Sequence, residues 1–103
     1  MKKLYNCSAK YDSNHLVSYS TLLYQCTTHK HFLYVYRSNT SMSHIRKFVK
    51  KLREDGLYNR ANDVEMMYRL CIDSKKSCAY YNNETGEILL GTYEQCEEQF
   101  LEK

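Results

Sequence analysis

Apolar and polar residues alternate with a period of two over Leu16–Cys26, where Val17, Tyr19, Thr21 and Leu23 share one side of a run rich in β-branched and aromatic residues. A strand is expected there. After a short polar break at Thr27–Lys30, Phe32, Tyr34 and Tyr36 alternate with Leu33 and Val35, so the two runs are expected to pair as an antiparallel hairpin. The segment Lys3–Lys10 adds a candidate third strand. Both sides of the run from Phe32 to Tyr36 are apolar, which places it centrally in a sheet or sets one of its faces against something outside the domain.

The period then changes. Ile45, Phe48, Val49 and Leu52 follow the i, i+3, i+4, i+7 spacing of an inward helix face. Thr40, Ser41 and Ser43 are the candidate N-caps, and Gly56 supplies a left-handed stop. Arg46, Lys47, Lys50, Lys51 and Arg53 are left on the flanks and outer face of this helix. A second helix is expected over about residues 61–72, starting at Asn62 or Asp63, with Val64, Met67, Tyr68 and Cys71 inward. Residues 77–82 and 87–90 flank a turn sequence, Asn83–Gly86, and are expected to form a second hairpin near 77–90. Thr92 and Gln95 make a capping-box pattern that opens a last helix, with Tyr93, Cys96 and Phe100 inward and Glu94, Glu97, Glu98 and Glu102 outward. The expected fold is α+β, with a small antiparallel sheet of an N-terminal hairpin or three strands plus the second hairpin, packed with about three helices. At 103 residues, with no linker, repeat or low-complexity run, residues 1–103 are expected to form a single domain.

Composition adds one constraint to this picture. Eleven tyrosines against three phenylalanines and no tryptophan mean that much of the apolar area carries hydroxyls needing partners, which favours the rim of the core and contact surfaces. The two N-terminal lysines are not followed by a signal-type apolar run, and no apolar stretch approaches the length that crosses a bilayer. A soluble, cytoplasmic protein with no membrane partner is therefore expected. Five cysteines without a Cys-x-x-Cys pair read as free thiols in a reducing compartment.

Charge is unevenly spread. Residues 1–60 carry eleven Lys/Arg and three Asp/Glu, whereas residues 77–103 carry six Glu and one Lys. Such a split suits a basic surface for an acidic partner, or attraction between the acidic last helix and the basic helix of the same or a neighbouring chain, which would make a homodimer.

Candidate chemistry is sparse. Cys26, His29 and His31 are the one cluster of metal-ligand residues close in sequence, but no fourth ligand follows at a recognisable spacing and a hairpin loop needs no metal. No metal, cofactor, phosphate loop or marked nucleophile is expected, and hence no enzyme. Ser41, Ser43 and His44, beside a helix N-terminus and nearby cations, form a candidate anion site, set against the simpler reading that the hydroxyls cap the helix. The five cations of residues 43–55 are read as a solvated face, a protein contact, or a track for a nucleic-acid backbone on which Tyr34, Tyr36 or Tyr58 would stack bases.

Ser18-Tyr19-Ser20-Thr21 in a strand, followed by Ser38-Asn39-Thr40-Ser41-Met42-Ser43-His44, resembles a pattern in small uncharacterised proteins of bacteriophages and other mobile elements, which carry a Ser-Tyr-x-Thr strand and a Thr-Thr-Ser-x-His helix start. The likeness spans roughly residues 16–52, and Met42 stands where that pattern has serine. It implies a phage or mobile-element origin; small proteins of that origin are often non-enzymatic inhibitors of host or defence proteins, anti-CRISPR proteins among them. The expected function is therefore a phage-type accessory protein that binds and inhibits a host or defence protein, itself a nucleoprotein complex in some cases. The alternative is a nucleic-acid-binding module using the basic helix.

Overall fold

In a computed structural model describing residues 1–102, seven antiparallel strands form one sheet whose spatial order is their order in sequence. They are β1 (Lys2–Lys3), β2 (Ala9–Asp12), β3 (His15–Ser18), β4 (Thr21–Cys26), β5 (Lys30–Tyr34), β6 (Cys78–Asn82) and β7 (Ile88–Gly91). Between β5 and β6 the chain makes α1 (Asn39–Glu54) and α2 (Tyr58–Ser74), and α3 (Tyr93–Leu101) follows β7. The fold is α+β, with a larger sheet than the sequence pattern suggests.

The extra strands come from turns the sequence does not advertise. The expected strand over Leu16–Cys26 is in fact a hairpin: Ser18 pairs with Thr21, and Tyr19 and Ser20 make the turn. Tyr19 adopts φ +56°, a left-handed conformation normally left to Gly, Asn or Asp, so no turn residue marks the reversal. Beyond this turn Leu16 faces Tyr24 and Val17 faces Leu22, which leaves Leu23 unpaired in a bulge. The bulge lets consecutive Leu23 and Tyr24 both enter the same core, where each is fully buried. The N-terminal segment likewise folds as two short strands, β1 and β2.

β5 is the hub. It pairs with β4 on one side and β6 on the other, and both of its faces are covered. Leu33 and Val35 join the main core with α1 and α2, while Phe32 packs in a second cluster with Cys78, Tyr80, Cys96 and Phe100 under α3. The two-sided apolarity of this run thus reflects a central strand between helix layers. It also means that α3 lies on the sheet face opposite α1, so the acidic helix does not pair with the basic helix of its own chain as one expectation had it.

α1 begins at Asn39, not within 41–44, because Ser38 takes the N-cap: its Oγ accepts the Ser41 N–H at 3.1 Å. At the other end Gly56 has φ +82°, its N–H bonds the Arg53 carbonyl and Leu57 N–H reaches Leu52, a Schellman closure of the last turn. Ile45, Phe48, Val49 and Leu52 are buried as their spacing predicts, with Phe48 between the rings of Tyr11 (6.1 Å) and Tyr24 (5.5 Å). α2 starts earlier than expected, at Tyr58. Its N-cap residue Leu57 provides no side-chain bond, so the start leaves no polar signature. Ala61, Val64, Met67 and Cys71 form its buried stripe, and Tyr68 is only half-buried.

α3 opens on the predicted capping box, Thr92 Oγ1 accepting from Gln95 N–H (3.2 Å) and Gln95 Oε1 from Thr92 N–H (3.0 Å). Cys96 and Phe100 are buried, while Tyr93 sits edge-on to Phe32 and Tyr34 at the boundary of the second cluster. A Cβ on Gly91 would lie 2.3 Å from Gln95 Oε1, so a larger residue there must push aside the Gln95 half of the capping box. In chemical denaturation, Phe48→Ala is expected to lower stability by about 3–5 kcal/mol. Gly91→Ala should cost no more than about 1 kcal/mol, since it displaces the Gln95 side chain but leaves the Thr92 cap in place. An unchanged midpoint for Phe48→Ala would contradict the packing described.

Candidate functional site

The five cations of α1 do not form one surface. Arg46 donates to Tyr68 Oη at 2.9 Å, and Arg53 donates to Asn62 Oδ1 at 3.2 Å and lies 3.4 Å from Glu65 Oε1, so both are committed to α2. Lys51 lies 3.9 Å from Glu54 and 3.7 Å from Asp55. Among the described residues Lys47 and Lys50 are the α1 cations with no carboxylate partner, and both are exposed on the outer face. A groove of about 750 Å³ runs between α1 and α2, with Val49 and Ile72 in its lining and charges of both signs around them: Arg46, Lys50, Arg53 and Arg69 beside Glu54, Glu65 and Asp73.

Two tyrosines flank this helix. Tyr19, 68% exposed, places its ring 6.2 Å from that of His44. Tyr5, also held left-handed at φ +52°, donates its hydroxyl to Glu54 Oε1 at 2.6 Å, and the ammonium groups of Lys50 and Lys51 sit 5.8 and 5.7 Å from its ring centroid. The Glu54 carboxylate holds the Tyr5 phenol up at about 12. His44 and Lys51 are seven residues apart, so the helix positions that the two rings approach share one flank of α1 and are about 10 Å apart along its axis.

The candidate anion site is rearranged. Ser41 is buried and its N–H is already taken by Ser38, while Ser43 is half-buried. His44 is buried, and its Nδ1 lies 2.7 Å from Ser18 Oγ, which is also buried. Burial, helped by the neighbouring Lys47 charge, lowers the His44 pKa. The Ser41 N–H is thus held by the Ser38 cap and the His44 ring by Ser18, so both groups are turned to partners within the chain. Ser18 and His44 come from the two halves of the sequence pattern noted above, and their hydrogen bond ties β3 to α1.

A second buried polar cluster links the hairpin β4–β5 to α2 and the β6–β7 turn. His31, 1% exposed, has Nδ1 2.7 Å from Tyr24 Oη, and its Nε2 is 3.1 Å from Asn83 Nδ2 and 3.7 Å from Asp63 Oδ2. With Nε2 accepting from the Asn83 amide, Nδ1 carries the proton and donates to the Tyr24 hydroxyl. Burial, with a smaller effect of the Arg60 charge, pushes the His31 pKa down to about 4. Burial raises the Asp63 carboxyl, with Arg60 opposing. Nothing in the sequence marks this cluster, because Asp63 and Asn83 are brought to His31 only by the tertiary fold.

The Cys26, His29 and His31 grouping is dispersed by its own bonds. Cys26 Sγ is 3.9 Å from His31 Nε2, but exposed His29 turns to Asn83 Oδ1 (3.2 Å) and Glu84 Oε2 (2.9 Å). Among the described residues no three His, Cys, Asp or Glu side chains gather to hold a metal ion. All five cysteines are free. Burial pushes the Cys71 and Cys78 thiols up to about 12 and raises Cys96 as well, which keeps these sulfurs protonated and poor nucleophiles. Among the described residues no helix is long and apolar enough to cross a membrane.

His31 gives stability a pH dependence. Its folded pKa lies below the unfolded value of 6.5, so between about 6.5 and about 4 the unfolded chain binds the proton and the folded chain does not. The stability held above pH 6.5 is therefore lost as pH falls through that window, at up to about 1.4 kcal/mol per pH unit. His44 adds in the same sense, and the raised Asp63 opposes at the acid end. Urea melts at pH 7 and pH 5 should show this loss, and His31→Gln should flatten it; equal slopes in the two proteins would contradict the assignment.

No protein-family model, no curated protein and no solved structure matches this chain, so the functional reading rests on its own residues.

Proposed function

We propose that this chain is a non-enzymatic accessory protein, of the phage type its residues 16–52 resemble, that acts by binding and inhibiting a host or defence protein through the outer face of α1. The observation that carries the protein-binding reading is the mixed charge of that surface. Lys47 projects from it, while the adjoining groove sets Arg46, Lys50, Arg53 and Arg69 beside Glu54, Glu65 and Asp73, with apolar Val49 and Ile72 in its lining. Interleaved charges of both signs around an apolar floor complement a protein surface, whereas the acids would repel a phosphodiester backbone. The suppressed reactivity of the buried thiols and the neutral, hydrogen-bonded state of His31 and His44 support a binding role over catalysis.

Tyr19 is the sharpest probe of this reading. A left-handed tyrosine costs roughly 1–2 kcal/mol of backbone energy, and its ring is mostly in solvent, so folding alone gives little reason to keep it. Tyr19→Gly is expected to leave thermal stability equal or higher while weakening partner capture from host lysate. Lys47→Glu with Lys50→Glu should likewise abolish capture without altering the melting curve. Capture by both variants at the level of the native chain would sink the proposal.

A nucleic-acid role is the second reading, favoured by the two tyrosine rings beside α1, with Lys47 lying between His44 and Lys51, the helix residues those rings approach. With Lys47 and Lys50, among the described residues, the α1 cations that have no carboxylate partner, affinity of the α1 face for single-stranded DNA or RNA is expected to fall by no more than roughly tenfold between 50 and 200 mM salt. Sub-micromolar binding that collapses far more steeply would favour this second reading and count against the first.

A further inference from the structure

The sheet ends on two unlike edges. β1 is two residues long and carries Lys2 and Lys3, features that discourage pairing with another strand. β7, Ile88-Leu89-Leu90-Gly91, has no charge and no proline, and Ile88 is 43% exposed. Both covering helices touch β7, and among the described residues no strand pairs with its outer side. α3 packs its buried residues on Phe32, Cys78 and Tyr80 of β5 and β6, and α2 reaches the same strands from the other face.

The direction of each backbone group on β7 follows from its pairing. Asn82 N–H donates to the Glu87 carbonyl at 2.9 Å, so Glu87, Leu89 and Gly91 turn their main-chain groups toward β6. Ile88 and Leu90 therefore present one N–H and one C=O each to the open side. Those four groups are self-complementary. If two β7 strands lie antiparallel about a two-fold axis at Leu89, Ile88 of each faces Leu90 of the other as a hydrogen-bonded pair, which makes four backbone bonds.

The same register brings the side chains into agreement. Leu90 points into the main core and Leu89 into the α3 cluster, so across the axis Ile88 would abut Leu90 on one sheet face and Leu89 would abut its own copy on the other. Glu87 would face Gly91, which has no side chain to oppose it. We infer that β7 is a dimerisation edge, and that two copies of this chain join through it into one continuous sheet. This interface is separate from the α1 surface and leaves that surface open on both copies. A second copy fits better than a foreign strand because an uncharged segment in this register satisfies all of its outward groups with itself, and the arrangement closes as a pair instead of propagating.

Three apolar side chains and the shared backbone bonds make a small interface, so a dissociation constant on the order of 10 µM is expected. Sedimentation velocity on the full chain from about 1 to about 500 µM should show the mass doubling, and Ile88→Lys, at a position exposed enough to accept it, should weaken association by at least about tenfold. Hydrogen exchange supplies the direct readout: the Ile88 and Leu90 amides should gain protection as concentration rises. A monomer at every concentration overturns the inference. So does a dimer whose Ile88 and Leu90 amides stay unprotected and which dissolves in salt, the mark of α1 against α3 of another copy. Protection of these amides only when lysate is added to a monomeric chain would also overturn it, in favour of a foreign strand.

Discussion

Burial of β5 on both faces is the constraint from which the rest of the architecture follows. A strand carrying Leu33 and Val35 on one side and Phe32 on the other cannot lie on a two-layer sheet without exposing one set to water. Fully burying an aliphatic or aromatic side chain contributes about 1.5–3 kcal/mol, so leaving one face open would forfeit a large part of a small domain's stability. Helices are therefore required on both faces. α1 and α2, inserted between β5 and β6, cover one; α3, delivered by the β6–β7 hairpin, covers the other. The N-terminal strands lie outside α3 and keep a conventional half-wet pattern, with Lys10, Val17, Leu22 and Gln25 on the open face.

What holds the layers in register is polar. Ser18 to His44 fixes α1 against β3, and the group around His31 fixes the β4–β5 hairpin against α2 and the turn after β6. Every buried side-chain nitrogen and oxygen among the described residues has a partner, so these clusters specify orientation without an unpaired group to destabilise the core. Because burial favours neutral imidazoles at both places, the molecule is built around two histidines that work as hydrogen-bonding connectors in the folded state.

Periodicity and capping made much of this legible. The inward stripe of α1, the capping box of α3, the glycine stop at Gly56 and the double-sided β5 were all written in local patterns that tertiary packing did not override. Several of the misses share one cause, a local conformation adopted by a residue with no propensity to signal it. Tyr19 turns a hairpin without glycine or asparagine, Leu57 opens a helix without a side-chain cap, and Lys75 closes α2 in a left-handed conformation usually taken by glycine. The site was less legible than the fold. Helix spacing showed that α1 had a basic outer face, but not that Arg46 and Arg53 are taken by α2, nor that the tyrosines of two distant turns lie along its flank. Those facts depend on pairings between segments far apart in sequence.

A meander with one interruption also has a built-in seam. All neighbouring strands except β5 and β6 are joined by short loops, whereas that one pair is separated by the whole of α1 and α2. Closing the seam is the one strand pairing with a large loop-entropy cost, which makes it the expected late step of folding. Read in reverse, β6, β7 and α3 form a contiguous unit that can part from the first five strands by breaking a single strand pairing and its associated helix contacts. The same geometry allows that unit to be exchanged between two chains at high concentration, so the order of the strands sets both the path of assembly and the route by which it goes astray.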